Sequence, residues 1–223
     1  MDRQTLRRSW LHRTVLAAAL SIAGAAGPSP DVTINRLPRP VARTPGAERV
    51  AKALAQMDAQ FRKDAADCRA TPQHMDFEFQ VGARRLLETA TIYSVEYTMS
   101  YYCGGPHPES GASAVTFDLR TGTPYDLNRA FHVEDEGHLS PAAVPLVTQY
   151  WPNKQCESED FFADTLKTAW VTLGVTRQYL IFYFEVPHAE AVCFKPAQVP
   201  LQALSGVADR AELKRLGRPF EGH

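Results

Sequence analysis

Tyr93-Ser94-Val95-Glu96-Tyr97-Thr98-Met99-Ser100-Tyr101-Tyr102, then Cys103-Gly104-Gly105-Pro106-His107-Pro108, then Val115-Thr116-Phe117-Asp118-Leu119 is the stretch that decides the fold. Its aromatic and β-branched residues alternate or crowd together, break at the Gly/Pro segment and resume, which predicts strand, loop, strand. Arg120-Thr121-Gly122-Thr123 follows with the glycine placement of a tight turn. Two glycines and two prolines around one Cys and one His give a loop of unusual backbone whose side chains are held still. Binding residues sit on such loops above a β scaffold. Tyr101, Tyr102, Gly104, Gly105 and His107 are therefore candidate binding residues.

Working outward, Phe77, Phe79 and Val81 alternate with Asp76, Glu78 and Gln80, a half-buried strand. Its successor is expected over residues 86–102, with Gly82-Ala83-Arg84-Arg85 either turning the chain or forming a bulge. Val50, Leu54, Met57 and Phe61 recur at helical spacing, so residues 47–66 are read as an amphipathic helix whose stripe is core. Downstream, Ser140-Pro141 predicts a helix start running to Trp151, and residues 168–173 and 179–186 predict a hairpin joined through Gly174-Val175-Thr176-Arg177. Tyr179-Leu180-Ile181-Phe182-Tyr183-Phe184 is apolar on both faces, which places it mid-sheet or beneath a helix. Val199-Pro200-Leu201 adds an edge segment and residues 211–216 a short terminal helix. The fold class is α+β, a mainly antiparallel sheet with helices packed on one face, stapled by disulfides.

The N-terminus reads as an export signal: Arg3, Arg7, Arg8 and Arg13 precede the apolar run Val15 to Ile22, and Ala23-Gly24-Ala25 is a small-x-small cleavage site. A retained membrane anchor is the weaker alternative, because the run falls well short of the roughly 20 residues that cross a bilayer, and no integral span is expected after cleavage. The reading is a leader over residues 1–25, a proline-rich linker over 26–46 holding Pro28, Pro30, Pro38, Pro40 and Pro45, and a single domain over 47–223. The leader removes four Arg and one Asp from 24 basic and 25 acidic residues, leaving a formal charge of −4 that disfavours a nucleic-acid partner.

Cys68, Cys103, Cys156 and Cys193 all lie beyond the leader, where oxidation is expected, and none has C-x-x-C spacing. Two disulfides are the favoured reading, against free buried thiols. Symmetry about the expected hairpin turns pairs Cys68 with Cys103 and Cys156 with Cys193, one of three connectivities. Pro187-His188 before Cys193 repeats the aromatic-strand, Pro-His, Cys pattern of the first loop, so His188 and the strand residue Tyr183 join the candidate binding surface.

The sequence contains no Gly-x-Ser-x-Gly, no His-Glu-x-x-His, no phosphate loop and no dinucleotide fingerprint. Ser94, Ser100 and Ser113 with His107 are common residue types and define no triad. The cluster His132-Val133-Glu134-Asp135-Glu136-Gly137-His138 resembles a metal site in composition alone. No catalytic residue, metal ligand or cofactor is assigned from the sequence.

Tyr101 to Pro108, then Phe117-Asp118-Leu119-Arg120-Thr121-Gly122 and Asp126-Leu127 through Phe131, resemble a Tyr-x-Gly-Gly-Ala-His and Asp-Leu-x-Thr-Gly-x-x-x-x-Leu-x-x-x-Phe pattern. It belongs to the extracytoplasmic RsiV-like C-terminal domain family, a domain of unknown function of the DUF 3298 type. Gln178 to Phe184, Pro187-His188 and Val199-Pro200-Leu201 are similar to that family's ending, and the likeness covers residues 77–204. The resemblance implies a periplasmic or secreted cell-envelope binding fold whose partner is an envelope protein or peptidoglycan fragment, with lysozyme-type recognition known for the anti-sigma factor. The alternatives are an envelope carbohydrate or peptide hydrolase using His107 and His188, and a structural envelope protein.

Overall fold

Thr44 sets the start of the first helix: its hydroxyl accepts the Ala47 amide at 3.1 Å, and Pro45 follows at the first helical position, where a missing N–H costs nothing. The computed structural model describes residues 31–70, 77–104, 107–152, 159–186, 193–209 and 211. The helix, α1 (Pro45–Arg69), buries Val50, Leu54, Phe61, Ala65 and Cys68 along the predicted stripe and extends it at both ends.

Residues 31–44 differ from the expected linker. Val32–Ile34 is a strand, β1, pairing in parallel with β2 (Glu78–Glu88). Leu37 is 1% exposed, and the buried Asp58 of α1 accepts its amide at 2.9 Å and the Arg39 guanidinium at 2.5 Å. The Pro38 carbonyl accepts the Tyr93 hydroxyl at 2.5 Å. Pro38 and Pro40 remove only two amides from this stretch, and strand pairing at β1, the Leu37 anchor and the Asp58 carboxylate together seat it. Burial, with the Glu88 charge, pushes the Tyr93 phenol up to about 12.

The main sheet continues through β3 (Ile92–Tyr102), β4 (Glu109–Asp118) and β5 (Thr123–Pro124), in the order β1-β2-β3-β4-β5, antiparallel from β2 onward. Gly82 to Arg85 does not turn the chain. The strand runs on to Glu88 with a register shift between Arg85 and Leu87. The turn falls at residues 89–91, where the Thr89 hydroxyl accepts the amides of Thr91 at 3.2 Å and Ile92 at 3.0 Å. Alternation sends Phe79, Val81, Tyr93, Val95 and Phe117 toward α1, forming one apolar core.

A second sheet of β8 (Trp170–Val175), β9 (Tyr179–Glu185) and β10 (Ala197–Pro200) has β9 at its centre. Val171, Leu173, Val175, Leu180, Phe182 and Val199 form a second core with Val147 of α3 (Ala143–Gln149) and Leu166 of α4 (Glu159–Thr168). Thr172, Gly174 and Tyr183 face β3 and β4 of the main sheet. β9 is thus buried on both faces, as its apolar run requires. The short α2 (Asn128–Phe131) and the ribbon β6 (Glu134–Asp135) and β7 (His138–Leu139) close this half. Ser140 does not cap α3: its hydroxyl bonds the His132 carbonyl at 3.4 Å and the helix begins at Ala143. The predicted terminal helix lies outside the described residues apart from Ala211. Among the described residues no helix is long and apolar enough to cross a membrane.

The arrangement is α+β with mainly antiparallel pairing, as expected, with the strands divided between sheets and one disulfide complete within the described residues, Cys68 to Cys103. It joins the last turn of α1 to the end of β3 rather than the open ends of a hairpin. Cys193 is also disulfide-bonded; Cys156, its expected partner, lies outside the described residues. The first bridge closes a 35-residue separation. Cys68→Ser with Cys103→Ser is expected to lower unfolding free energy by about 3–4 kcal/mol, read by urea denaturation, because the open loop regains chain entropy in the unfolded state.

Candidate functional site

The β3–β4 tip gathers most of the residues singled out from the sequence. Tyr101 lies opposite Glu109, and Tyr102 opposite Glu78 of β2. The Tyr101 ring stacks on Phe79 at 5.8 Å, beside the Phe61–Tyr97 contact at 5.4 Å, so one side of the tip is braced by the α1 core. Burial first, then the charges of Glu109 and Asp64, pushes the Tyr101 phenol up. Gly104 has φ 82°, the left-handed backbone that glycine adopts freely and that redirects the chain after Cys103. His107 and Glu109 form a partly exposed pair at 3.6 Å. Gly105 and His188 lie outside the described residues.

Tyr183 belongs elsewhere. It is 1% exposed and donates its hydroxyl to Glu96 Oε2 at 2.5 Å across the gap between the two sheets. Glu96 to Tyr102 spans about 20 Å of strand, so Tyr183 does not share a surface with the tip.

Glu96 is the centre of a polar seam that sequence reasoning did not single out. Arg84 lies directly opposite it on β2 and grips the carboxylate with two bonds, Nε to Oε1 at 2.6 Å and Nη2 to Oε2 at 2.8 Å. Burial works to raise the Glu96 carboxyl, but the bonds from Arg84 and Tyr183 outweigh it and hold the group below the ordinary glutamate range. The bond to Glu96 lifts the Arg84 guanidinium above its ordinary value; burial, then the bond to Glu96, lifts the Tyr183 phenol well above its own. Two positions away, the Ser94 and Thr116 hydroxyls meet at 2.9 Å, and Ser94 Oγ accepts the Val175 amide at 3.4 Å. With Tyr183 neutral and Arg84 charged, the arrangement holds an ionised carboxylate and fixes the second sheet on the first. The available signal was a charged residue at an alternating, inward position of β3 with an arginine on the preceding strand.

Trp170 was read only as part of a strand. It is 50% exposed, lies against Gly137, where an added Cβ would come within 2.1 Å of the indole, and contacts the His138 ring at 4.5 Å. The histidines and acids of residues 132–138 run from the end of α2 through β6 and its turn into β7; among the described residues no group of three or more His, Cys, Asp or Glu is disposed to hold a metal ion.

No family model matches the chain, and no curated protein matches it. Among solved structures it is similar to the crystal structure of a DUF3298 family member from Bacteroides fragilis. The TM-score is 0.45 and the identity 13%, over 78% of this chain and 73% of that one.

Replacing Glu96 tests the seam. A carboxylate held below its unfolded value contributes stability that is complete above about pH 4.3 and is lost as pH falls through its lowered folded value. Glu96→Gln is expected to cost about 1–3 kcal/mol at pH 7. In thermal melts across pH, the gap between parent and variant should narrow below the ordinary glutamate value; a gap constant with pH would show that the charge is not what the seam holds.

Proposed function

We propose that the protein is an exported cell-envelope domain that binds an envelope protein or a peptidoglycan-related ligand without catalysis, through the β3–β4 tip. The observation that supports this reading is the covalent anchoring of the tip: Cys103, directly after Tyr102, is bonded to Cys68 of α1. A loop held in place before a partner arrives loses little freedom on binding, and tyrosines supply rigid amphipathic contact area. Tyr101, Tyr102, Gly104, Gly105 and His107 form the contact surface, with His188 as a further contact, and Tyr183 supports it indirectly by seating Glu96. Gly104 and Gly105 let a partner approach the backbone closely.

Export through the leader over residues 1–25, to the periplasm or beyond, fits disulfide bonding at Cys68, Cys103 and Cys193. Lysozyme-type recognition rests on the family resemblance alone.

The test is capture from envelope extract, peptidoglycan included, by the parent protein and by a Tyr102→Ala, His107→Ala variant. Capture is expected to be lost while the melting temperature moves by no more than about 2–4 °C, the equivalent of about 1 kcal/mol in a domain of this size. A variant that melts well below that range yet still captures the partner when cooled would make the tip structural.

A further inference from the structure

At the opposite end of the β2–β3 hairpin from the tip, a cavity of about 640 Å³ opens between the end of β2 and the β8–β9 turn. Arg85, Leu86 and Glu88 form one wall, and Thr176, Arg177 and Gln178 the other. Both walls are held by hydrogen bonds. Thr176 Oγ1 accepts the amides of Gln178 at 3.2 Å and Tyr179 at 2.9 Å, and the Gln178 carbonyl accepts the Leu201 amide at 2.9 Å. Across the cavity, Glu88 Oε1 accepts the amides of Val41 at 2.7 Å and Ala42 at 3.2 Å, while Oε2 accepts Arg85 Nη1 at 2.6 Å.

The Glu88 carboxylate is therefore bonded on both oxygens by the protein itself. Arg85 keeps Nε and Nη2 available, and Arg177 has no hydrogen-bond or ion-pair partner among the described residues. Two guanidiniums against one carboxylate leave a net charge of +1 on the lining. Leu86, whose methyl lies close to Gly174, adds an apolar surface, and Gln178 adds an amide that can both donate and accept.

We propose that this cavity binds a ligand ending in a single carboxylate carried on an apolar body, such as the free C-terminus of a short peptide. Planar guanidiniums match a carboxylate through paired N–H donors. A doubly charged phosphate would exceed the +1 of the lining and sit against the Glu88 carboxylate, which favours the monoanion. Leu86 takes the terminal side chain, and Gln178 the last peptide group.

The probes are acetyl-Ala-Val with a free carboxylate, the same peptide amidated, and inorganic phosphate, each titrated into the protein while backbone amide shifts are followed by NMR. The free acid is expected to shift the amides of Thr176, Arg177, Gln178 and Glu88 saturably. Amidation or Arg177→Gln should weaken binding about tenfold or more, the scale of one lost charge-assisted bond. Because Arg177 is exposed on a turn, Arg177→Gln should leave the melting temperature unchanged. Equal binding of acid and amide, absence of saturable shifts at these positions, or phosphate binding tighter than the acid would each overturn the assignment. The Tyr102→Ala, His107→Ala variant should bind the acid like the parent, so this site and the tip can fail separately.

Discussion

Glu96 carries an ionised carboxylate into the contact between two β-sheets, and the way the second sheet sits on the first follows from keeping that charge bonded. A buried carboxylate without partners would cost several kcal/mol or take up a proton. Arg84 reaches it from the neighbouring strand and Tyr183 from the facing sheet, so the bonds that keep it ionised also tie the layers together. The geometry is discriminating, because a shift of one residue in the β2–β3 pairing would send Arg84 to the α1 side.

Steric fit completes what the charge begins. At Gly174 an added Cβ would lie 2.7 Å from Leu86 Cδ1 and 2.9 Å from Ala114 Cβ, so β8 approaches the main sheet at a position where it has no side chain. The Ser113 and Thr172 hydroxyls meet at 2.9 Å at the same crossing. Apolar packing alone would tolerate several angles between two sheets; a bonded carboxylate, a pair of hydroxyls and a glycine gap admit far fewer. The two apolar cores, one beneath α1 and one beneath α3 and α4, are thus set on either side of a polar seam.

Much of this was legible in the sequence where periodicity speaks for itself. The α1 stripe, the β3–β4 pair, the turn at Gly122 with φ 71° and the β8–β9 hairpin all carry local signals strong enough to read without a structure. The tip was legible because glycine and proline mark unusual backbone. What escaped depends on distant partners. Residues 31–44 look like a linker until Asp58 and Tyr93 supply bonds that no local pattern announces. The turn at residues 89–91 is closed by the Thr89 amide on the Ile92 carbonyl and by the Thr89 hydroxyl, whereas Gly82, the more conspicuous candidate, sits within a strand against Thr98. Tyr183 read as contact area because exposure is not encoded in residue type; only the sheet register shows that it faces Glu96.

The two ends of the β2–β3 hairpin are restrained by different means, and this bears on how each can act. At the tip, a covalent bond from Cys103 to α1 limits movement whatever the pH or ionic strength. At the other end, Glu88 holds the 41–42 backbone and Arg85 together through hydrogen bonds and one charge pair, a restraint that salt weakens. Between them, Glu96 and its partners clamp the middle of the hairpin to the second sheet. The tip and the cavity thus lie at opposite ends of one hairpin, each restrained by its own bonds and joined through a middle that is tied to the second sheet.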